Sequence, residues 1–215
     1  MPQYIQKLIE EGEHLKQDFK FEISDVRKIA KTLVAFSNTA GGKLLVGVKD
    51  NGKIAGIRSE EEIYMIEGAA GIYCRPEIAF TTRKWVINGK TILEVDIPKG
   101  DKKPYMAKST EGKWLAYIRV RDENFLVNAI QLRVWKNENR SKGVFLPFTE
   151  KEKILLEYLQ MNDSITLDEF CLLAGLNRKK ASDILVRLIS IEEIGIVYSG
   201  DNIQYTNSKK EMGNL

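Results

Sequence analysis

Histidine occurs once in this chain of 215 residues, at His14, and cysteine twice, at Cys74 and Cys171. A Ser-His-Asp or Cys-His mechanism would have to rest on that one imidazole, so nucleophilic chemistry of that kind is not expected and His14 reads as a surface residue. The two cysteines stand far apart, form no CxxC and have no histidine nearby, which argues against a zinc site. Two reduced thiols in a reducing compartment are expected instead. No apolar run approaches the ~20 residues of a membrane span. The opening Met-Pro-Gln-Tyr-Ile-Gln-Lys-Leu-Ile-Glu-Glu has no long apolar core of a secretory signal. A cytoplasmic protein that does not engage membranes is expected. Internal repeats and low-complexity tracts are also missing. So is a P-loop: Gly41-Gly42-Lys43-Leu44 lacks the Gly-x-x-x-x-Gly-Lys-Ser/Thr spacing that would cradle ATP phosphates.

The charge is unevenly spread. The net value is only +3, yet residues 83–121 carry ten Lys and Arg against four Asp and Glu, whereas residues 141–215 carry nine against eleven. A basic, strand-rich segment fits a phosphate-facing surface.

The pattern along the chain predicts two domains. Residues 2–11 read as an amphipathic helix. Leu15–Phe21 reads as a strand, with Leu15, Gln17, Phe19 and Phe21 on one face and Lys16, Asp18 and Lys20 on the other. Ser24 or Asp25 would cap a helix over Val26–Asn38. Leu44–Val48 and Lys53–Gly56 read as a hairpin around Asp50-Asn51-Gly52. Glu60–Ala70 reads as a helix. Ile78–Lys84 and Thr91–Ile97 read as strands joined by Asn88-Gly89, and Trp114–Val120 as another strand. Asn124–Trp135 returns to helical spacing. Beyond it, residues 139–144 are the expected linker.

Thr149, Thr166 and Asn177 can each cap a helix, with Gly175-Leu176 as the tight turn between the second and third. Gly195–Val197 and Ile203–Tyr205 then form a hairpin. This order is that of a winged helix-turn-helix over residues 145–207. A disordered tail is expected at 208–215.

The most informative stretch is Phe36-Ser-Asn-Thr-Ala-Gly-Gly-Lys-Leu-Leu-Val-Gly-Val-Lys-Asp-Asn-Gly-Lys-Ile-Ala-Gly56. A helix end meets a glycine pair and a buried strand here, and Gly41 or Gly42 is expected to adopt a positive φ. Around it, in order, stand Glu13-His-Leu-Lys-Gln-Asp18-Phe-Lys20, Arg75-Pro-Glu-Ile78, Ile92-Leu-Glu-Val-Asp-Ile-Pro98, Lys103-Pro-Tyr105 and Ala116-Tyr-Ile-Arg-Val120.

In this order and spacing, residues 8–135 resemble the Schlafen AlbA-type domain family, also called the divergent AAA-4 group. The resemblance implies a mixed α/β (α+β) nucleic-acid-binding domain over residues 1–138. In bacteria such domains often precede a winged helix in transcriptional regulators, so DNA or RNA partners and a homodimer are expected. Some family members use three carboxylates for metal-dependent RNA cleavage, and Glu13, Asp18 and Asp50 match those positions. Under that alternative they would hold Mg²⁺ or Mn²⁺, with Lys20 on the scissile phosphate. The chain departs from the family in carrying Asp18 where Glu is usual, and Arg121 where many members have glycine. Without cleavage, no cofactor is expected. A third alternative is a dimerising scaffold whose winged helix contacts only protein.

The candidate nucleic-acid contacts are Lys20, Asn38, Gly41, Gly42, Lys102, Lys103, Arg119 and Arg121 in the first domain. In the second they are Asn177, Arg178, Lys179 and Lys180, which open the third helix. Arg178 and Lys179 suit phosphates or guanine edges. Asn177 suits adenine if its side chain is not spent as the cap.

Overall fold

A computed structural model of the chain describes residues 2–138, 149–200 and 202–208. Its contacts divide it into two units, Met1–Val127 and Asn128–Leu215. The first contains, in chain order, α1 (Pro2–Glu11), β1 (Gln17–Lys20), α2 (Val26–Asn38), β2 (Gly42–Val46), α3 (Glu61–Ile72), β3 (Cys74–Arg75), β4 (Thr81–Ile87), β5 (Lys90–Ile97), β6 (Met106–Lys108), β7 (Trp114–Leu115), β8 (Tyr117–Val120) and β9 (Glu123–Leu126).

A four-stranded sheet in the order β1-β2-β5-β4 organises this unit, with β1 parallel to β2 and the other pairs antiparallel. Because β2 is central, both of its faces are covered. Strand alternation sends Leu44 and Val46 into a core with Leu33 and Phe36 of α2 and Ile66 of α3, and Leu45 into one with Ile5 of α1 and Phe19 of β1. All three β2 residues are fully buried. β3, β6 and β7 form a second sheet, and β8 and β9 a hairpin against α2.

Asp25 is the residue that caps α2, its carboxylate accepting from Arg27 N at 2.8 Å. At the other end Gly41 N donates to Phe36 O, and Gly41 takes φ +71°. A Cβ on Gly41 would stand 2.8 Å from the Ile97 carbonyl and the Lys99 amide; one on Gly42 would stand 2.4 Å from the Phe36 ring. The pair is therefore glycine because helix end, strand and the β5 exit meet there backbone to backbone.

Several expected elements are altered. The first strand is shorter than Leu15–Phe21, and Leu15 and Phe21 lie outside the core. Phe21 instead stacks beneath the Lys49 ammonium, 5.0 Å away, and the Arg58 guanidinium, 5.8 Å away. The hairpin around Asp50 shrinks to one bridge, Val48 to Ile54, because β2 pairs with β1 and β5. The strand expected over Ile78–Lys84 begins at Thr81, and the one over Trp114–Val120 breaks at Ala116. Residues 124–126, expected to start a helix, belong to β9 and pair with β8 around Arg121, whose φ is +55°. Glycine tolerates that conformation better than arginine does.

The second unit begins with α4 (Ala129–Glu138), followed by α5 (Glu150–Met161), α6 (Leu167–Ala174), α7 (Arg178–Ser190), β10 (Ile194–Ser199) and β11 (Asn202–Asn207). The expected linker 139–144 and residues 209–215 of the expected tail lie outside the described residues. The unit boundary falls earlier than that linker because Ile130 and Val134 of α4 share a core with Leu185, Val186 and Leu188 of α7. Thr149 and Thr166 each form a reciprocal capping box with the glutamate three residues on, Glu152 and Glu169. Gly175 ends α6 at φ +61°. β10 and β11 are antiparallel, and Ile165 bridges to Tyr205 as a third strand position.

Replacing Gly42 with valine is expected to lower unfolding free energy by about 2–3 kcal/mol through overpacking against Phe36. Gly68→Ala on α3, where a Cβ meets nothing within 4 Å, should raise it by roughly 0.5–1 kcal/mol. Urea unfolding midpoints check both; equal effects would contradict the steric argument.

Candidate nucleic-acid interface

Arg119 on β8 was expected to face a ligand, but it is 2% exposed. Its Nε donates to the His14 carbonyl at 3.0 Å, its NH2 group to the Gln17 carbonyl at 2.9 Å and to Asp18 Oδ1 at 3.2 Å, and NH1 to Asn124 Oδ1 at 3.2 Å. The guanidinium lies over the Phe36 ring, 4.9 Å from its centroid. Asn38 is buried too. Its amide donates to the Tyr105 and Tyr117 carbonyls and accepts from Tyr105 N, all at 2.8 Å. Both residues are spent on structure: Arg119 satisfies the carbonyls of His14 and Gln17, and Asn38 those of Tyr105 and Tyr117 together with the Tyr105 amide.

Asp18 and Glu13 come together, but Asp50 does not join them. Asp18 is 4% exposed, with Lys20 Nζ 2.8 Å from its Oδ2, off the hydrogen-bonding direction. Glu13 Oε1 accepts from Phe19 N at 2.8 Å. Burial pushes the Glu13 carboxyl above its ordinary value; the neighbouring Asp18 adds to that, against the Phe19 bond and the Lys20 charge. Asp50 is exposed in the turn after β2 and makes no ion pair among the described residues. No group of three or more His, Cys, Asp or Glu side chains among the described residues is placed to hold a metal ion. The expected three-carboxylate metal site is thus corrected to a carboxyl pair compensated by Lys20 and Arg119.

The glycine pair faces a cleft of about 400 Å³ that also has His14, Lys16, Lys43 and Lys99 in its wall. His14 Nδ1 accepts from Lys16 N at 3.2 Å. Lys16 and Lys99 are exposed. The sequence reading missed these two lysines because one was assigned to a strand face and the other merely follows Pro98. Lys43 also borders a neighbouring polar network: it reaches Glu94 at 2.9 Å and Asp96 at 2.7 Å, while Tyr4 Oη and Trp85 Nε1 each donate to Glu94 at 2.7 Å. Burial alone would raise the Glu94 carboxyl. The bonds from Lys43, Tyr4 and Trp85 and the Lys43 charge outweigh it and hold the carboxyl below its ordinary value. Of the remaining expected contacts, Lys102 and Arg121 are exposed and Lys103 is half-buried. Elsewhere in the basic segment Lys84 is paired with Glu60 and Lys113 with Glu111.

In the second unit Asn177 does serve as the α7 cap, its Oδ1 accepting from Lys180 N at 2.9 Å. That oxygen is the one a bidentate adenine contact would need. Arg178, Lys179 and Lys180 are exposed in succession. Arg178 pairs with Asp168 of α6, and Lys179 and Lys180 have no ion pair among the described residues. Further along, Asp183 pairs with Arg133 of α4, so α4 flanks α7 beyond its first turn.

A family model described as Schlafen, AlbA_2 matches residues 13–128. The N-terminal domain of a RecG-related protein from Nitrosomonas europaea is similar at 23% identity, over 49% of this chain and 80% of that one, with a TM-score of 0.40. The DIP2311 protein from Corynebacterium diphtheriae is similar at 18% identity and a TM-score of 0.44. That match covers 67% of this chain, which spans about a third of the other protein, 34%. No curated protein matches the chain. No helix among the described residues is long and apolar enough to cross a membrane.

Removing the buried guanidinium in Arg119→Met should destabilise the fold by about 3–5 kcal/mol, because buried Asp18 loses its donor and the His14 and Gln17 carbonyls lose theirs. Asp18→Asn in that background should recover part of the loss, and strict additivity in urea unfolding would refute the coupling. The two perturbed glutamates should act with opposite sign. Glu94, held low, contributes stability above the ordinary glutamate value that is lost as pH falls through its folded value. Glu13, held high, contributes stability at low pH that is lost as pH rises through its folded value. Glu94→Gln should flatten the first dependence and Glu13→Gln the second in stability–pH curves.

Proposed function

Since the chain belongs to the Schlafen AlbA_2 family, we propose that it is a duplex-DNA-binding protein of the transcriptional-regulator kind, whose C-terminal unit is a winged helix. The observation that carries this reading is the first turn of α7: three consecutive exposed cations, Arg178, Lys179 and Lys180, at a helix N-terminus. Such an end attracts phosphate through its free amides and its dipole, and places side chains at base edges when it enters the major groove. The order α5, α6, tight glycine turn, α7, hairpin, with Ile165 bridging to the hairpin, supports the winged-helix assignment. Because α4 flanks α7 beyond that turn, the turn itself is the stretch that would reach DNA. In the family domain, the lysine-lined cleft beside Gly41 and Gly42 is the surface best suited to a second set of phosphate contacts, with Lys102 and Arg121 as exposed additions.

We read the active form as a homodimer placing two such helices on half-sites about one DNA turn apart. Metal-dependent RNA cleavage is not part of this proposal, because Asp50 stands apart from Glu13 and Asp18.

Fluorescence anisotropy with duplex DNA checks the reading. Log Kd should rise linearly with log salt, and Lys179→Gln and Lys180→Gln should each lower the slope by about 0.9. Arg178→Gln should narrow the gap between preferred and random duplexes by about 1–3 kcal/mol. Absence of binding to any duplex at low salt, or slopes unchanged in all three variants, would overturn it. Tighter binding to single-stranded RNA would move the reading to an RNA-binding module. Light scattering on the protein alone checks the dimer.

A further inference from the structure

A cleft of about 640 Å³ opens within the C-terminal unit, inside the ~300–1,000 Å³ range of small-molecule sites. The first turns of α4, α6 and α7 all border it. Each contributes amides without intrahelical acceptors and the positive end of a helix dipole. Arg133, Arg178 and Lys179 add three cations to the wall; Arg178 is paired with Asp168, the one carboxylate there, and Arg133 with Asp183, while Lys179 has no ion pair among the described residues.

A buried phenol supplies a second, independent feature. Tyr205 lines the cleft yet is 2% exposed. Its oxygen accepts from Asn128 Nδ2 at 3.3 Å, and its own hydroxyl hydrogen has no acceptor among the described residues. Burial pushes this hydroxyl up to about 12, so it remains a donor at neutral pH. A buried donor without an acceptor is uncommon in folded proteins, and a bound acceptor would satisfy it. Ile130, Leu167 and Ile203 provide apolar wall beside these donors.

Cations and donors on one side and aliphatic surface on the other select an anion with an apolar body. We propose that this cleft binds a small organic anion, with a carboxylate, sulfonate or phosphate head directed to Lys179, Arg178 and Tyr205. Because it uses the same α7 turn that the DNA reading assigns to phosphates, occupation of the cleft competes with duplex binding; this second half rests on that reading, and the first does not.

The test uses 8-anilinonaphthalene-1-sulfonate, whose fluorescence rises in apolar sites, on the full chain. One saturable site is expected. Lys179→Gln should weaken it roughly tenfold, the scale of losing one charged hydrogen bond. Ser182→Trp, which fills the cleft, should abolish it. The neutral analogue N-phenyl-1-naphthylamine should bind far more weakly, and inorganic phosphate should displace the probe only at much higher concentration. No saturable binding overturns the cleft assignment, as does binding indifferent to both substitutions or equal for the neutral analogue. Lys179 is exposed, so its variant keeps the test decisive if the tryptophan variant fails to fold. Anisotropy of labelled duplex then separates the two halves. Displacement of duplex by the probe supports competition, and a duplex that stays bound while the probe saturates overturns it. A protein that binds the probe but no duplex fails the DNA reading alone.

Discussion

A buried guanidinium has few tolerable surroundings, and the N-terminal unit is arranged around one. Arg119 leaves water almost completely, and the cost of desolvating it is offset only by acceptors held in place on every side. Those acceptors come from the loop before β1, from β1 and from β9, with the Phe36 ring of α2 beneath. Segments from residue 14 to residue 124 thus share one hydrogen-bonding centre. Asn38 does the neutral equivalent a few residues away, tying the α2 end to the chain at Tyr105 and Tyr117. The junction where α2 turns into β2 lies between these two side chains and is closed by backbone bonds from Thr39 N and Gly41 N to Phe36 O and from Lys43 N to Lys16 O.

This arrangement separates structural charge from surface charge. The residues that looked most like ligand contacts in the family motif, Arg119 and Asn38, are internal. The exposed cations of this unit include less distinctive residues: Lys16 and Lys99 beside the glycine pair, and Lys102 and Arg121. Glu13 and Asp18 share a site whose charge is balanced by Lys20 and Arg119, which suits a structural ion network better than an open cation site. In the C-terminal unit the division is similar. Glu152 and Arg187 pair in the partly buried interior, and the first turn of α7 keeps its cations outside.

Much of the local architecture was legible. Capping at Asp25, Thr149, Thr166 and Asn177, the glycine end of α6, the Asn88-Gly89 turn and the positive φ at the glycine pair follow from hydrogen bonds and sterics within a few residues. The order of helices and the final hairpin in the second unit followed from apolar periodicity. The misread elements were those whose conformation depends on distant partners. Leu44–Val48 looked like half of a local hairpin, but it pairs with β1 and β5. The stretch at 124–126 looked helical, yet it pairs with β8.

The residue order of this chain by itself determined the family motif, the capped helices, the turn positions and the uneven charge, because each depends on neighbours along the chain or on composition. Only the tertiary structure decided which charges are used up. It took Arg119 and Asn38 into the interior, joined Asp18 to Glu13, left Asp50 apart on its turn, and brought three helix starts around Tyr205. Burial and pairing between residues far apart in sequence cannot be read from spacing, since the same arginine on the same alternating strand faces water or core according to which segments pack over it.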